Sequence, residues 1–149
     1  LLRHYLLDPH SKNNASLIEW LNPDFKPRKH GPPKVRLACI QYQMRKVRWF
    51  EEFAAQVTYF VDIAADYQSD FVLLPELFTV QLLSQTTTLS PQEGIKKLAG
   101  YAPRVRKLLS SLAVRYGVTL IGGSQISFSW EKLINSCPVC QPDGSAELE

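Results

Sequence analysis

Four short stretches of this 149-residue chain combine residue types that can do chemistry. The first is Pro75-Glu76-Leu77-Phe78, which places a carboxylate directly after the apolar run Phe71-Val72-Leu73-Leu74. A carboxylate at the rim of an apolar core loses hydration, which favours its protonated form and suits it to general-base work near neutrality. The same residues also serve a chain that merely turns after a strand, so the motif alone leaves both readings open. The second stretch, Gly122-Gly123-Ser124, lacks the G-x-x-x-x-G-K-[ST] spacing of a phosphate loop, and no G-x-G-x-x-G occurs in the chain. Its glycines are expected to let the backbone pass close to a neighbour or a ligand. The third, Cys137-Pro138-Val139-Cys140, is formally a C-x-x-C. On one strand, residues three apart point to opposite faces, no second ligand pair follows, and His4, His10 and His30 lie far upstream, so neither a metal nor a redox site is expected. The fourth, Gln41-Tyr42-Gln43, closes another apolar run. The chain has no G-x-S-x-G and no H-E-x-x-H, and its histidines all precede the patterned region, which leaves no place for a Ser/His triad.

These residues need a scaffold, and the periodicity supplies one. Val35–Gln41 reads as a short strand, Arg48–Tyr67 as a helix with a stripe at Phe50, Phe53, Val57, Phe60, Val61 and Ala64, and Phe71–Leu74 as a strand buried on both faces. Ser90-Pro91-Gln92-Glu93 has the form of a capping box with proline at the first helical position. Tyr101–Tyr116 is a further amphipathic helix, its Arg104, Arg106, Lys107 and Arg115 reading as a solvated face. Val118–Ile121 is a third strand, and Gln125–Phe128 with Ile134–Cys140 is expected to form a hairpin pair before the turn Pro142-Asp143-Gly144. Strands alternating with helices make an α/β sheet, in which ligands bind beyond the carboxyl ends of the strands. Glu76, Gln41–Gln43 and the glycine pair all fall at those ends.

Composition narrows the class. Hydrophobic residues make up 45% and charged residues 21%, as in ordinary globular domains, and a net charge of +3 is too mild to call for nucleic acid. Three cysteines, odd in number, do not form a secreted disulfide framework, and Cys39 inside an apolar run is expected to be a small buried hydrophobe. No apolar stretch approaches a membrane span. A cytoplasmic protein without membrane or nucleic-acid partners is expected. Residues 1–33 differ from the rest, with Pro9, Pro23, Pro27, Pro32 and Pro33 and the basic run Lys26, Arg28 and Lys29, and read as an extended proline-rich linker. Residues 34–149 form the patterned domain. The chain begins at Leu1 and stops within a polar stretch, so truncation at both ends is expected.

Val35–Gln43, Asp70–Phe78 and Tyr116–Ser124, with the later Asn135 and Pro142-Asp143-Gly144, together resemble the opening half of the nitrilase, or carbon–nitrogen hydrolase, superfamily. Residues 1–33, with Ile18–Pro23, resemble the tail of the GNAT-type N-acetyltransferase domain fused upstream in one branch. The resemblance implies an α/β fold, here a partial four-layer α-β-β-α sandwich. It also implies a cofactor-free and metal-free Glu–Lys–Cys set acting on a small-molecule amide or nitrile, with no nucleic-acid or membrane partner. It assigns the glutamate to Glu76 as catalytic base and makes Tyr42, Phe78 and Gln125 candidate pocket walls. The family's lysine lies just past the turn at 142–144 and its cysteine further on, so Lys132, Cys137 and Cys140 come too early for those roles, and the chain alone is expected to be inactive. A half-sandwich would expose sheet surface, for which homo-oligomer formation is one remedy. Two alternatives stay open: part of a bifunctional N-acetyltransferase/hydrolase, for which no acetyl-CoA loop is present here, and a non-catalytic binding or assembly module.

Overall fold

A computed structural model describes residues 34–86, 88–130 and 132–148. The linker and upstream tail read from residues 1–33 lie outside the described residues. Strand β1 (Leu37–Cys39) leads through a loop to α1 (Phe50–Asp66) and then β2 (Phe71–Leu73). A 3-10 helix (Phe78–Leu83) and the long α2 (Pro91–Tyr116) connect β2 to β3 (Thr119–Ile121). The chain finishes with β4 (Gln125–Ser129), β5 (Lys132–Ser136), β6 (Pro138–Cys140) and β7 (Ala146–Leu148).

The main sheet has the order β1-β2-β3-β6-β7, with the first three strands parallel and the last two antiparallel to their neighbours. Its register aligns Ala38, Val72, Leu120, Cys140 and Ala146 in one row across the sheet. That row, a residue per strand, points to the face on which the helices pack. Phe53, Val57 and Val61 of α1 and Val105, Leu109 and Leu112 of α2 are buried in the same core as Val72 and Leu120. The opposite face carries Leu37, Cys39, Phe71, Leu73, Thr119, Ile121 and Val139; at β1 and β2 it is exposed among the described residues, while Thr119 is buried and donates to Gln141 Oε1 at 2.9 Å. Leu37 is 69% exposed, Leu73 39% and Phe71 37%.

Two expectations change here. Phe71–Leu74 reads in sequence as buried on both faces, yet β2 is exposed, buried, exposed, because the described helices cover one side only. Cys39 is exposed for the same reason: it projects to the bare face of an edge strand.

Helix α1 presents the expected stripe, with Phe60 set to its side, half-buried and stacked on Tyr42 at 4.7 Å between centroids. Helix α2 starts with the expected capping box: the Glu93 carboxylate accepts from the Ser90 backbone N–H at 2.8 Å, and Ser90 Oγ accepts from the Glu93 N–H at 3.4 Å. It then runs unbroken through Pro103 to Tyr116, whereas the sequence suggested a separate helix from Tyr101. Proline removes one backbone donor at that point, but Leu98, Ala99, Ala102 and Val105 are buried on both sides of it and hold the two halves against the core. Gly117 ends the helix in the left-handed region.

The predicted Ile134–Cys140 strand is divided at Cys137. β5 pairs with β4 as a separate two-stranded hairpin, and β6 joins the main sheet beside β3. The hairpin packs on α2 with an inverted pattern, burying Gln125, Ser127 and Ser136 while Phe128 and Leu133 stay exposed. Ser127 and Ser136 satisfy each other through a 2.8 Å hydroxyl–hydroxyl bond. The tip residue Trp130 is 95% exposed and adopts a left-handed φ of 47°.

Two outcomes follow for stability. Leu120→Ala empties the centre of the covered row and should lower unfolding free energy by about 2–5 kcal/mol, read by urea titration. Glu93 sits below the usual carboxylate range because the Ser90 hydroxyl and N–H favour its charged form. The cap therefore stabilises above the unfolded-state value and fades as pH falls through the lower folded one. Ser90→Ala should accordingly lose less stability than the parent chain between about pH 5 and pH 3.

Candidate functional site

The carboxyl ends of β2 and β3 meet at two touching turns. β2 ends at Leu73, and the chain turns through Leu74-Pro75-Glu76-Leu77 into the 3-10 helix. β3 ends at Ile121 and turns through Gly122-Gly123-Ser124 into β4. Gly123 has φ +62°, and a Cβ there would lie 2.2 Å from the Pro75 carbonyl oxygen and 2.8 Å from that of Leu74. Gly122 is equally hemmed in, because a Cβ would lie 2.6 Å from both Leu109 and Pro138. The close approach expected of this pair is therefore present, and the neighbour is the glutamate-bearing turn.

Hydrogen bonds tie the two turns together. Leu74 N–H donates to the Ile121 carbonyl at 2.9 Å, and Leu77 N–H to the Ser124 carbonyl at 2.8 Å. The second bond holds Leu77 at φ 51°, an uncommon conformation for a residue with a branched side chain. Ser124 Oγ donates to Glu76 Oε1 at 3.0 Å. The Glu76 carboxylate thus stands at the rim of the sheet with one oxygen held. Its side chain is exposed among the described residues, which corrects the expectation of a desolvated carboxylate. Phe78 turns away from it: its ring is fully buried and packs on Phe53 with centroids 5.5 Å apart.

The other candidates are placed as follows. Tyr42 lies half-buried between Phe60 and the 3-10 helix, and its hydroxyl accepts from Gln81 Nε2 at 2.8 Å. Burial pushes the Tyr42 phenol above its ordinary range, partly offset by that bond. Gln125 is buried where β4 begins, directly after Ser124, and its Oε1 has no hydrogen-bond partner among the described residues. Phe78 belongs to the core beneath the Glu76 turn, Gln125 follows the Ser124 turn, and Tyr42 contacts the 3-10 helix. Sequence reasoning passed over Gln81 and Ser124 as individual residues; the signal for Ser124 was its place after the glycine pair at a strand's carboxyl end.

The thiols stand elsewhere. Cys140 is buried in the covered row, 3.6 Å from Ser110 Oγ, and burial pushes its thiol up. Cys137 occupies the break between β5 and β6, so the C-x-x-C does not lie on one strand. No three His, Cys, Asp or Glu side chains among the described residues come together as a metal-binding group. No described helix is long and apolar enough to cross a membrane.

No family model matches the chain. It is 40% identical over 148 residues to Probable hydrolase YhcX of Bacillus subtilis, a match that covers 95% of this chain and 29% of that protein. It is 34% identical over 112 residues to Omega-amidase NIT2 of Danio rerio, covering 75% of this chain and 37% of that protein. The chain thus spans about a third of the length of these curated relatives. Among solved structures, a carbon–nitrogen hydrolase from Helicobacter pylori superposes with a TM-score of 0.60 at 18% identity, over 77% of this chain and 38% of that one. A carbon–nitrogen hydrolase superfamily protein from Xanthomonas campestris, with an arsenic adduct in its active site, gives 0.55 at 23%, over 76% of this chain and 39% of that one. The α/β fold is that of these carbon–nitrogen hydrolases.

The contact between the turns gives a paired test. Gly123→Ala must displace the Pro75 carbonyl and should destabilise by more than about 1 kcal/mol. Gly100→Ala, in a helix with open space around the new methyl, should instead stabilise by about 0.5–1 kcal/mol. Urea titration of the two variants reads both signs.

Proposed function

We propose that this chain carries the glutamate-bearing part of an amidase-type carbon–nitrogen hydrolase, with Glu76 as its general base. The observation that carries the proposal is the position of Glu76. It emerges at the carboxyl end of a parallel strand, with one carboxylate oxygen held by the adjoining turn, in a chain 34% identical to an omega-amidase. On this reading the substrate is a small amide, such as the ω-amide of a short dicarboxylic acid.

The reaction would proceed by covalent catalysis. Glu76 takes the proton of a cysteine thiol, whose sulfur attacks the amide carbon. A lysine steadies the tetrahedral oxyanion. The carbon–nitrogen bond then breaks, the proton passes to the leaving nitrogen, and ammonia departs from a thioester. Water, deprotonated by the same carboxylate, attacks the thioester carbon and releases the acid and the thiol. Neither the lysine nor the cysteine of this set occupies a matching place in the chain. Cys39 faces the bare side of the sheet and Cys140 lies beneath α2. We therefore take the 149-residue chain alone to be inactive.

Tyr42 is the candidate wall residue whose side chain remains partly accessible, and Phe78 and Gln125 would support the floor. The bare face of the sheet favours association, with more of the same domain or with a second copy. Free cysteines throughout the described residues support a reducing, cytoplasmic setting. A second reading has one observation in its favour. A match over 95% of the chain takes in most of residues 1–33, so the upstream tail belongs with the relative's sequence. An N-terminal acetyltransferase partner domain is consistent with that extension.

In the complete protein, Glu76→Gln should abolish ammonia release from an ω-amide while leaving the circular dichroism spectrum unchanged. Turnover equal to the parent's would refute the assignment. The 149-residue chain by itself should release no ammonia above the buffer rate.

A further inference from the structure

We infer that Ser124 is a positioning residue for the Glu76 carboxylate. This inference rests on the reading of Glu76 as general base and adds a second residue to it. Ser124 Oγ lies 3.0 Å from Glu76 Oε1 and donates to it, while Oε2 has no hydrogen bond among the described residues. The hydroxyl therefore fixes one carboxylate oxygen and leaves the other free to accept a proton.

Ser124 itself is held from several sides. Its carbonyl accepts from Leu77 N–H at 2.8 Å. Gly123 before it lies against the Pro75 and Leu74 carbonyls, too close for any side chain. Gly122 N–H donates to the Pro138 carbonyl at 2.8 Å, which anchors the start of the same turn in β6. Donor and acceptor thus come from two turns locked by backbone contacts, and none of these contacts involves the Ser124 hydroxyl. An exposed glutamate would otherwise sample several rotamers in water, and a base must sit within hydrogen-bond reach of its proton to work. The hydroxyl selects one orientation from a frame that exists without it.

Because the backbone clamp does not use Oγ, removing the hydroxyl deletes the carboxylate contact and leaves the turn. In the complete protein, Ser124→Ala should lower kcat for ω-amide hydrolysis about 10-fold, the order expected from loss of one orienting contact, with KM held within about 2-fold. Ser124→Thr keeps the hydroxyl and should restore most of kcat, whereas Ser124→Val has the same shape without it and should match alanine. In a Glu76→Asp background, where the shorter side chain already forfeits the contact, Ser124→Ala should cause no further loss.

Parent-like kcat in Ser124→Ala would overturn the inference. Equal rates for the threonine and valine variants would do so too, as would a full additional loss in the aspartate background, since each assigns the residue a role unconnected with the carboxylate. The threonine–valine comparison holds even if alanine loosens the turn. Failure of the underlying reading is separate: it shows as parent-like turnover in Glu76→Gln, and the positioning role falls with it. An inactive Glu76→Gln beside a fully active Ser124→Ala removes the positioning role alone.

Discussion

A backbone contact too close for any side chain organises the rim of this sheet. Gly123 meets the carbonyls of Leu74 and Pro75, and the turns after β2 and β3 interlock there. Parallel strands bring their carboxyl ends to the same edge, but adjacency alone does not define where side chains point. The glycine contact, the Leu77 to Ser124 hydrogen bond and the left-handed Leu77 together set the path of the chain on either side of Glu76. One carboxylate oxygen then finds Ser124. The position of the candidate base follows from main-chain geometry first and from its own side chain second, a hierarchy suited to a group that must be held still.

The same sheet is two-faced in a way that shapes its chemistry. Ala38, Val72, Leu120 and Cys140 lie under α1 and α2, whereas Leu37, Cys39, Phe71 and Leu73 are uncovered among the described residues. The hairpin β4–β5 repeats the pattern, with its serines and Gln125 inward and Phe128 and Leu133 outward. Apolar surface of this kind is what an interface needs. Glu76 lies at the edge of that sheet and is exposed, so on the proposed reading its desolvation comes from whatever closes over the rim, and not from the core below.

Much of the frame was legible because its signals are local. The spacing of Phe50, Phe53, Val57, Val61 and Ala64 specifies one buried helix face, and Ser90 with Glu93 specifies a cap through contacts three residues apart. The glycine pair was readable as a close approach, though not what it approaches. What escaped depends on long-range packing. Continuity of α2 through Pro103 is decided by core contacts on both sides of the proline, and the division of Ile134–Cys140 at Cys137 by a change of pairing partner from β4 to β3. Cys39 and Phe71 read as buried because their neighbours are apolar, but burial depends on what covers a face, and an apolar run does not encode that. Ser124 is the same case at the site: its residue type was visible, and its carboxylate partner 48 positions away was not.

The central claim is a division of labour in which these residues supply a positioned carboxylate and the attacking thiol comes from outside residues 34–148. Peptide mapping by mass spectrometry of the complete protein, quenched during turnover of an activated acyl substrate, tests it most directly. The account predicts an acyl adduct on a cysteine other than Cys39, Cys137 and Cys140, absent in the Glu76→Gln variant. An adduct on any of those three during turnover, or adduct formation that proceeds equally without the Glu76 carboxylate, would contradict it.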